Sequence, residues 1–136
     1  MLDGIQPVES LGIELKENHL DRVVLRVPMQ GNLNDKMTMF AGSQYSGLVL
    51  AGWRLASNWA ADMGENLPVV IKSSNIDFYK PVTEALECVA SLERKPKQGN
   101  SGNWKLKVRV EAKDSKGDML AVLTGNYRVL GRGKRD

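Results

Sequence analysis

The stretch AGSQYSGLVLAGWRLASNWAADM, residues 41–63, decides how the rest of the chain is to be read. Tyr45, Leu48, Gly52, Leu55, Trp59 and Met63 recur at helical spacing, and Val49, Trp53, Ala56 and Ala60 form a second apolar stripe beside them. A helix apolar over most of its circumference is expected to be buried on more than one side. Gly47 and Gly52 each cost about 1 kcal/mol relative to alanine inside a helix. That cost is explained if a sheet approaches the helix closely at both points. Gly64 is the expected stop. Arg54, Ser57 and Asn58 interrupt the apolar run, so it does not read as a membrane span.

Outward from the helix the pattern changes to period two. Leu11, Ile13 and Leu15 predict a half-buried strand, Asn18 to Asp21 a turn, and Val23, Leu25 and Val27 the second strand of a hairpin that Pro28 ends. A polar loop, Gln30 to Lys36, leads into the helix. Downstream, residues 69–78, 85–94, 104–113 and 119–130 read as strands. The third is the cleanest, with Trp104, Leu106, Val108, Val110 and Ala112 on one face and Lys105, Lys107, Arg109 and Glu111 on the other. Asp114 to Asp118, with Gly117, supplies a hairpin turn. Two strands, one long helix and four strands imply an antiparallel sheet that buries the single helix.

The composition agrees with one domain spanning residues 1–136. Of 136 residues 42% are hydrophobic and 26% charged, which fits a globular class and neither a disordered nor a membrane one. The N-terminus lacks the basic start and apolar core of a signal peptide, and the single cysteine, Cys88, cannot form an internal disulfide. A cytoplasmic location is expected. The net charge of +3 is modest, but cations cluster at Arg94, Lys95 and Lys97, at Lys105, Lys107 and Arg109, and at Arg132, Lys134 and Arg135. Such clusters attract nucleic acid or a phosphorylated small molecule, or simply solvate strand edges. They lack the interleaved surface aromatics that stacking on bases requires, so a nucleic-acid partner is not expected.

A chain of this order resembles the α+β hotdog fold, a long antiparallel sheet wrapped around one central helix. Asn34-Asp35-Lys36-Met37-Thr38-Met39-Phe40-Ala41-Gly42-Ser43 is similar to the superfamily's loop-to-helix motif, in which an asparagine, often a glycine, and then His-Gly-Gly open the helix. Asn34 and Gly42 fall in register with it. The stretch from Asn75 to Val82 resembles the ending of the third strand, and the final hairpin, residues 107–129, is similar as well. Phe40-Ala41-Gly42-Ser43 followed by Leu50-Ala51-Gly52-Trp53 most resembles a bacterial thioesterase module that in some proteins follows an N-acetyltransferase domain. Three departures stand out. Met37 occupies a common glycine position, Phe40 a common histidine position, and Val49 the place where one large branch has its catalytic aspartate or glutamate.

The resemblance implies hydrolysis of an acyl thioester on coenzyme A or acyl carrier protein. The coenzyme A or phosphopantetheine arrives as part of the substrate, with no separate cofactor. It also implies a homodimer or dimer of dimers with the site at the seam. The expected catalytic residues are Asn34, Asp35, Gly42 and Ser43. The Gly42 amide, at a helix N-terminus, would stabilise the oxyanion, or the glycine only lets the helix start pack tightly. Asp35, with Asn34, would activate water, or both form ordinary Asx turns. Ser43 would bind substrate or complete a helix-start hydrogen bond, since no nearby histidine activates it as a nucleophile. For substrate binding the candidates are Phe40 and Tyr45 as walls, Lys72 and Ser74 on the third strand, and Lys80, Arg94 and Lys97 for nucleotide phosphates. A bulge or edge exposure at Lys72 and Ser74 is the alternative there. Cys88 alternates with Leu86 and Ala90 as a core residue, and His19 lies in a turn. One cysteine and one histidine do not make a metal site. The competing reading is a non-catalytic acyl-binding or regulatory hotdog domain, suggested by Val49. A dehydratase is disfavoured because the first helical turns lack a carboxylate or histidine.

Overall fold

A short helix that the alternation of Leu11, Ile13 and Leu15 conceals opens the chain in the computed structural model, which describes residues 2, 4–63 and 67–131. This helix, α1 (Gln6–Leu11), has proline in its first turn, where an amide hydrogen is dispensable, and Glu9 favoured by the N-terminal dipole. Gly12 ends it at φ 71, a left-handed conformation that glycine adopts without steric cost. The expected first strand therefore starts later, as β1 (Glu14–Asn18), and it is largely exposed rather than half-buried. β2 (Val23–Val27) completes the hairpin.

After the loop, α2 (Ala41–Asp62) has the expected start and length. The predicted stop at Gly64 and the basic tail at Arg132, Lys134 and Arg135 lie outside the described residues. β3 (Val69–Phe78), β4 (Leu86–Leu92), β5 (Lys97–Gln98), β6 (Trp104–Lys113) and β7 (Met119–Val129) follow. β5 is a two-residue strand that alternation is too short to reveal. The strands form one antiparallel sheet in the order β1-β2-β4-β6-β7-β3, with β5 paired to β6. Together with α2 this is the α+β hotdog architecture, a long sheet wrapped around one helix. No helix among the described residues is long and apolar enough to cross a membrane.

Leu48, Ala51, Leu55, Ala56 and Ala60 of α2 are buried with Leu25, Val27, Leu86, Ala90, Leu106, Val108 and Leu123 of the sheet. Full burial of each large side chain contributes about 1.5–3 kcal/mol. The two helix glycines mark where the sheet comes closest. A Cβ on Gly47 would lie 2.6 Å from Val27 Cγ2 and 3.0 Å from Cys88 Sγ. One on Gly52 would collide with the hydroxyl of Tyr127 and lie 2.7 Å from its Cζ. The fully buried Tyr127 uses that space to donate its hydroxyl to the Val49 carbonyl at 2.7 Å. Burial, with a smaller contribution from Tyr45, pushes its pKa up. The expected burial on more than one side is only partly met. Ala56 and Ala60 of the second stripe are buried, but Val49 and Trp53 are only half-buried and Tyr45 of the first stripe is exposed, because one sheet covers only one side of the helix.

Gly52→Ala should therefore destabilise the protein by about 1–3 kcal/mol, the usual cost of overpacking. In a Tyr127→Phe background, where the colliding oxygen is gone, the same substitution should cost measurably less. Urea midpoints of the four proteins in this cycle test it; equal costs in both backgrounds would show that Tyr127 does not set the helix–sheet distance.

Candidate active site at the start of the long helix

The loop before α2 is shaped by Asn34. Its Oδ1 accepts from the amides of Lys36 at 2.8 Å and Thr38 at 3.1 Å, and its Nδ2 donates to Thr38 Oγ1 at 2.9 Å. Its own amide donates to the Thr38 carbonyl at 2.8 Å. The Asx-turn reading is the one this geometry supports. Closing so tight a loop drives Met37 to φ 64, the left-handed region disfavoured for side chains with a Cβ. The glycine common at this place in the motif has the same conformational reason. Asp35 projects from the loop with its side chain 87% exposed, and its only partner among the described residues is Lys36 at 3.5 Å.

Two backbone bonds and one side chain fix the helix start. Met39 donates to the Val82 carbonyl at 2.9 Å and Phe40 to the Asn32 carbonyl at 2.8 Å. Gln44, buried and not singled out by the sequence, donates Nε2 to the Met39 carbonyl at 3.0 Å and straps loop to helix. The amides of Ser43 and Gln44 bond back to the Phe40 carbonyl at 3.0 and 3.2 Å. Those of Ala41 and Gly42 have no acceptor among the described residues, and both residues are exposed. Two adjacent donors at the positive end of a 22-residue helix form a ready site for an oxygen that gains negative charge. Gly42 also packs tightly, since a Cβ there would meet Phe40 Cε2 at 2.5 Å. The packing reading of this glycine is what the geometry shows. Ser43 is buried, which further removes it from nucleophilic work.

The structure joins two candidates 29 residues apart, for the hydroxyls of Tyr45 and Ser74 lie 2.8 Å from each other. Tyr45 follows Ala41 by one helical turn, and long helical side chains lean toward the N-terminus. The hydroxyl pair thus lies toward the same end of α2 as the free amides. Ser74 pairs with Gly125 and Ile76 with Leu123, residues of the helix-facing side of β7. Lys72 is separated from them by a register shift between Ile71 and Ser73 and is exposed, so the alternative of a bulge and edge exposure is the one that applies to it. Lys80 is exposed two residues before Val82, at the helix-start end of the sheet. Arg94 and Lys97 lie beyond the other end, roughly 25 Å away along the strands, so one chain does not gather these three cations around Gly42.

Other nucleophiles and metals find no support in the geometry. Cys88 is buried and desolvation pushes its thiol up to about 12 from an ordinary 9.0. Among the described residues no group of three His, Cys, Asp or Glu side chains is placed to hold a metal ion.

Comparison with known proteins matches residues 4–131 to the family described as "Putative thioesterase (yiiD_Cterm)". The fold is shared with a "putative thioesterase" from Shewanella oneidensis at TM-score 0.81 and 24% identity, covering 93% of this chain and 89% of that one. It is also shared with the PaaI protein of the E. coli phenylacetic acid degradation operon at TM-score 0.78 and 18% identity, covering 96% and 88%. A Haemophilus influenzae thioesterase gives TM-score 0.78 at 15% identity, covering 92% and 82%.

The strain at Met37 gives a direct test of the loop geometry. A left-handed non-glycine residue costs roughly 1–2 kcal/mol, and glycine returns about 0.5–1 kcal/mol of that as unfolded-state entropy. Met37→Gly should leave stability unchanged or raise it by up to about 1 kcal/mol, while the β-branched Met37→Val should lower it. A urea midpoint for Met37→Gly clearly below wild type would contradict the left-handed assignment.

Proposed function

The chain belongs to the thioesterase family whose model spans residues 4–131, and from that premise we propose that it hydrolyses an acyl thioester of coenzyme A or acyl carrier protein at the start of α2. The observation that carries this reading is that the amides of Ala41 and Gly42 have no acceptor among the described residues, at the end of α2 where Tyr45 meets Ser74. The thioester carbonyl oxygen accepts from the two amides. Water held by the hydroxyls attacks the carbonyl carbon, the C–S bond breaks, and the acid and thiol leave. A thiol with an ordinary pKa of about 8.5 is a good leaving group, so an oriented water suffices without a strong base. Phe40 and Tyr45 wall the acyl-pantetheine path, and Lys80 is the nearest of the predicted cations for phosphate.

The second half of the proposal is that the working unit is a homodimer, alone or within a dimer of dimers. β3 pairs only with β7, leaving its other edge free among the described residues. Val70, Ile71, Phe78 and Tyr79 are exposed along and just beyond it, and exposed Tyr45 reaches this strand at Ser74. A free, apolar strand edge is a template for pairing, and two copies meeting antiparallel along β3 would cover this surface. The same pairing would set the far end of one sheet beside the helix start of the other, which is how Arg94 and Lys97 would reach a shared substrate. A cytoplasmic setting, where both carriers occur, fits this role.

Val49 favours a second reading. Where a branch of the superfamily has a carboxylate, Val49 is half-buried and its carbonyl is occupied by Tyr127. A domain that only binds acyl thioesters would keep the amides and show no turnover.

Steady-state hydrolysis of acyl-coenzyme A esters, with the mass in solution measured by light scattering, tests the proposal. Tyr45→Phe and Ser74→Ala should each lower kcat by roughly tenfold to a hundredfold with little change in KM, in a protein twice the mass of one chain. Asp35→Asn should be nearly neutral. A large loss in Asp35→Asn with neutral Tyr45→Phe would move water activation to the loop, and a monomer with full activity would remove the seam.

A further inference from the structure

Lys105, Lys107 and Arg109 of β6 and Arg128 of β7 have no part in the site at the helix start. Alternation along β6 turns Leu106, Val108 and Val110 to the helix, leaving Lys105, Lys107 and Arg109 on the outer face. The strand register then does something that the sequence does not reveal. Lys97 pairs with Lys105, and Lys105 pairs with Arg128, so three cations stand side by side in one row across three strands. Farther along the face the signs alternate and neutralise, with Glu111 bonded to Arg109 at 2.9 Å and to Lys113 at 3.4 Å. Among the described residues none of the three row members has an ion pair. Glu93 is the acid beside this face, its amide bonded to the Lys107 carbonyl. The stem of Lys105 lies over Gly99, and Arg128 Nη1 donates to the Tyr127 carbonyl at 3.0 Å, so two of the cations are partly held in place.

Like charges directly opposite one another on a sheet are destabilising. Solvating an edge requires charge but not one sign in register, and the Arg109–Glu111–Lys113 part of the same face does it with both signs. We propose that the Lys97–Lys105–Arg128 row is a docking surface for an acidic α-helix of a protein partner. Cross-strand neighbours stand about 4.5–5.5 Å apart at Cβ. Carboxylates at i, i+4 and i+8 of a helix recur at about 5–6 Å. One stripe of a helix therefore meets the row charge for charge. A nucleic acid fits less well, because the aromatic residue at this end of the sheet, Trp104, packs against the core instead of standing open for a base to stack on. The surface lies across the sheet from α2, and its role does not depend on the hydrolytic reading.

Fluorescence anisotropy with the full chain tests it, using a labelled alanine-based helical peptide with glutamates at i, i+4 and i+8. The comparison probes are a peptide of equal composition with its glutamates spread around the helix, and a DNA duplex of about 20 base pairs, about two helical turns. The striped peptide should bind on the order of tenfold more tightly than the spread one, with an affinity that falls as salt rises. Lys105→Gln should weaken it severalfold while raising Tm, since two repulsive pairs are relieved. Lys116→Gln, the same change of net charge in the β6–β7 turn, should leave it intact. Equal binding of both peptides, equal losses in the two variants, or tighter binding of the duplex would overturn the proposal.

Discussion

The close approach of α2 to the sheet is the constraint on which the rest of the molecule depends. It is made possible by the missing side chains of Gly47 and Gly52, into whose places Val27, Cys88 and Tyr127 move. Tyr127 turns that proximity into a bond, its hydroxyl on the Val49 carbonyl in mid-helix. A buried hydroxyl left without a partner costs about 1–3 kcal/mol, so the helix cannot slide or rotate freely on the sheet. Its N-terminus is thereby held at a fixed height above β7 and β3.

That fixed height is what gives the helix start chemical meaning. The Asn34 turn, the Gln44 strap and the Met39–Val82 bond deliver the chain to Ala41 in one conformation, with two amides that have no acceptor among the described residues. Tyr45 then reaches Ser74 on β3 because helix and sheet are in register. Under the proposed hydrolysis, preorganised donors at a developing oxyanion would supply the larger part of the stabilisation, and an activated ester would ask less of the base. The absence of a helix carboxylate at Val49 is compatible with such a division of work.

Much of this was legible in the sequence, and what was not has identifiable causes. The 23-residue stretch quoted first, 41–63, gave the helix to within a residue of its observed end, and β3 and β6 matched their predicted limits. Both helix glycines were read correctly as points of close approach. α1 was missed because six residues give too few turns for periodicity, and its last residue happened to alternate with Ile13 and Leu15. At Lys72 the bulge, given beforehand as the alternative, is what occurs, and it could not be decided earlier because no pattern of side-chain types announces the added residue. Gly42 was identifiable from its motif, whereas the Tyr45–Ser74 contact spans 29 residues and exists only once the sheet order is known. Gln44 carried no signal, since a polar residue in a first helical turn usually faces water.

The central claim is that substrate engages the free amides at the helix start. The most direct measurement is amide chemical-shift mapping of isotope-labelled protein titrated with a non-hydrolysable thioether analogue of an acyl-coenzyme A. The account predicts the largest shifts at Ala41 and Gly42, accompanied by Tyr45 and Ser74, and saturating together. Shifts confined to other parts of the chain, with Ala41 and Gly42 unmoved at saturation, would contradict it.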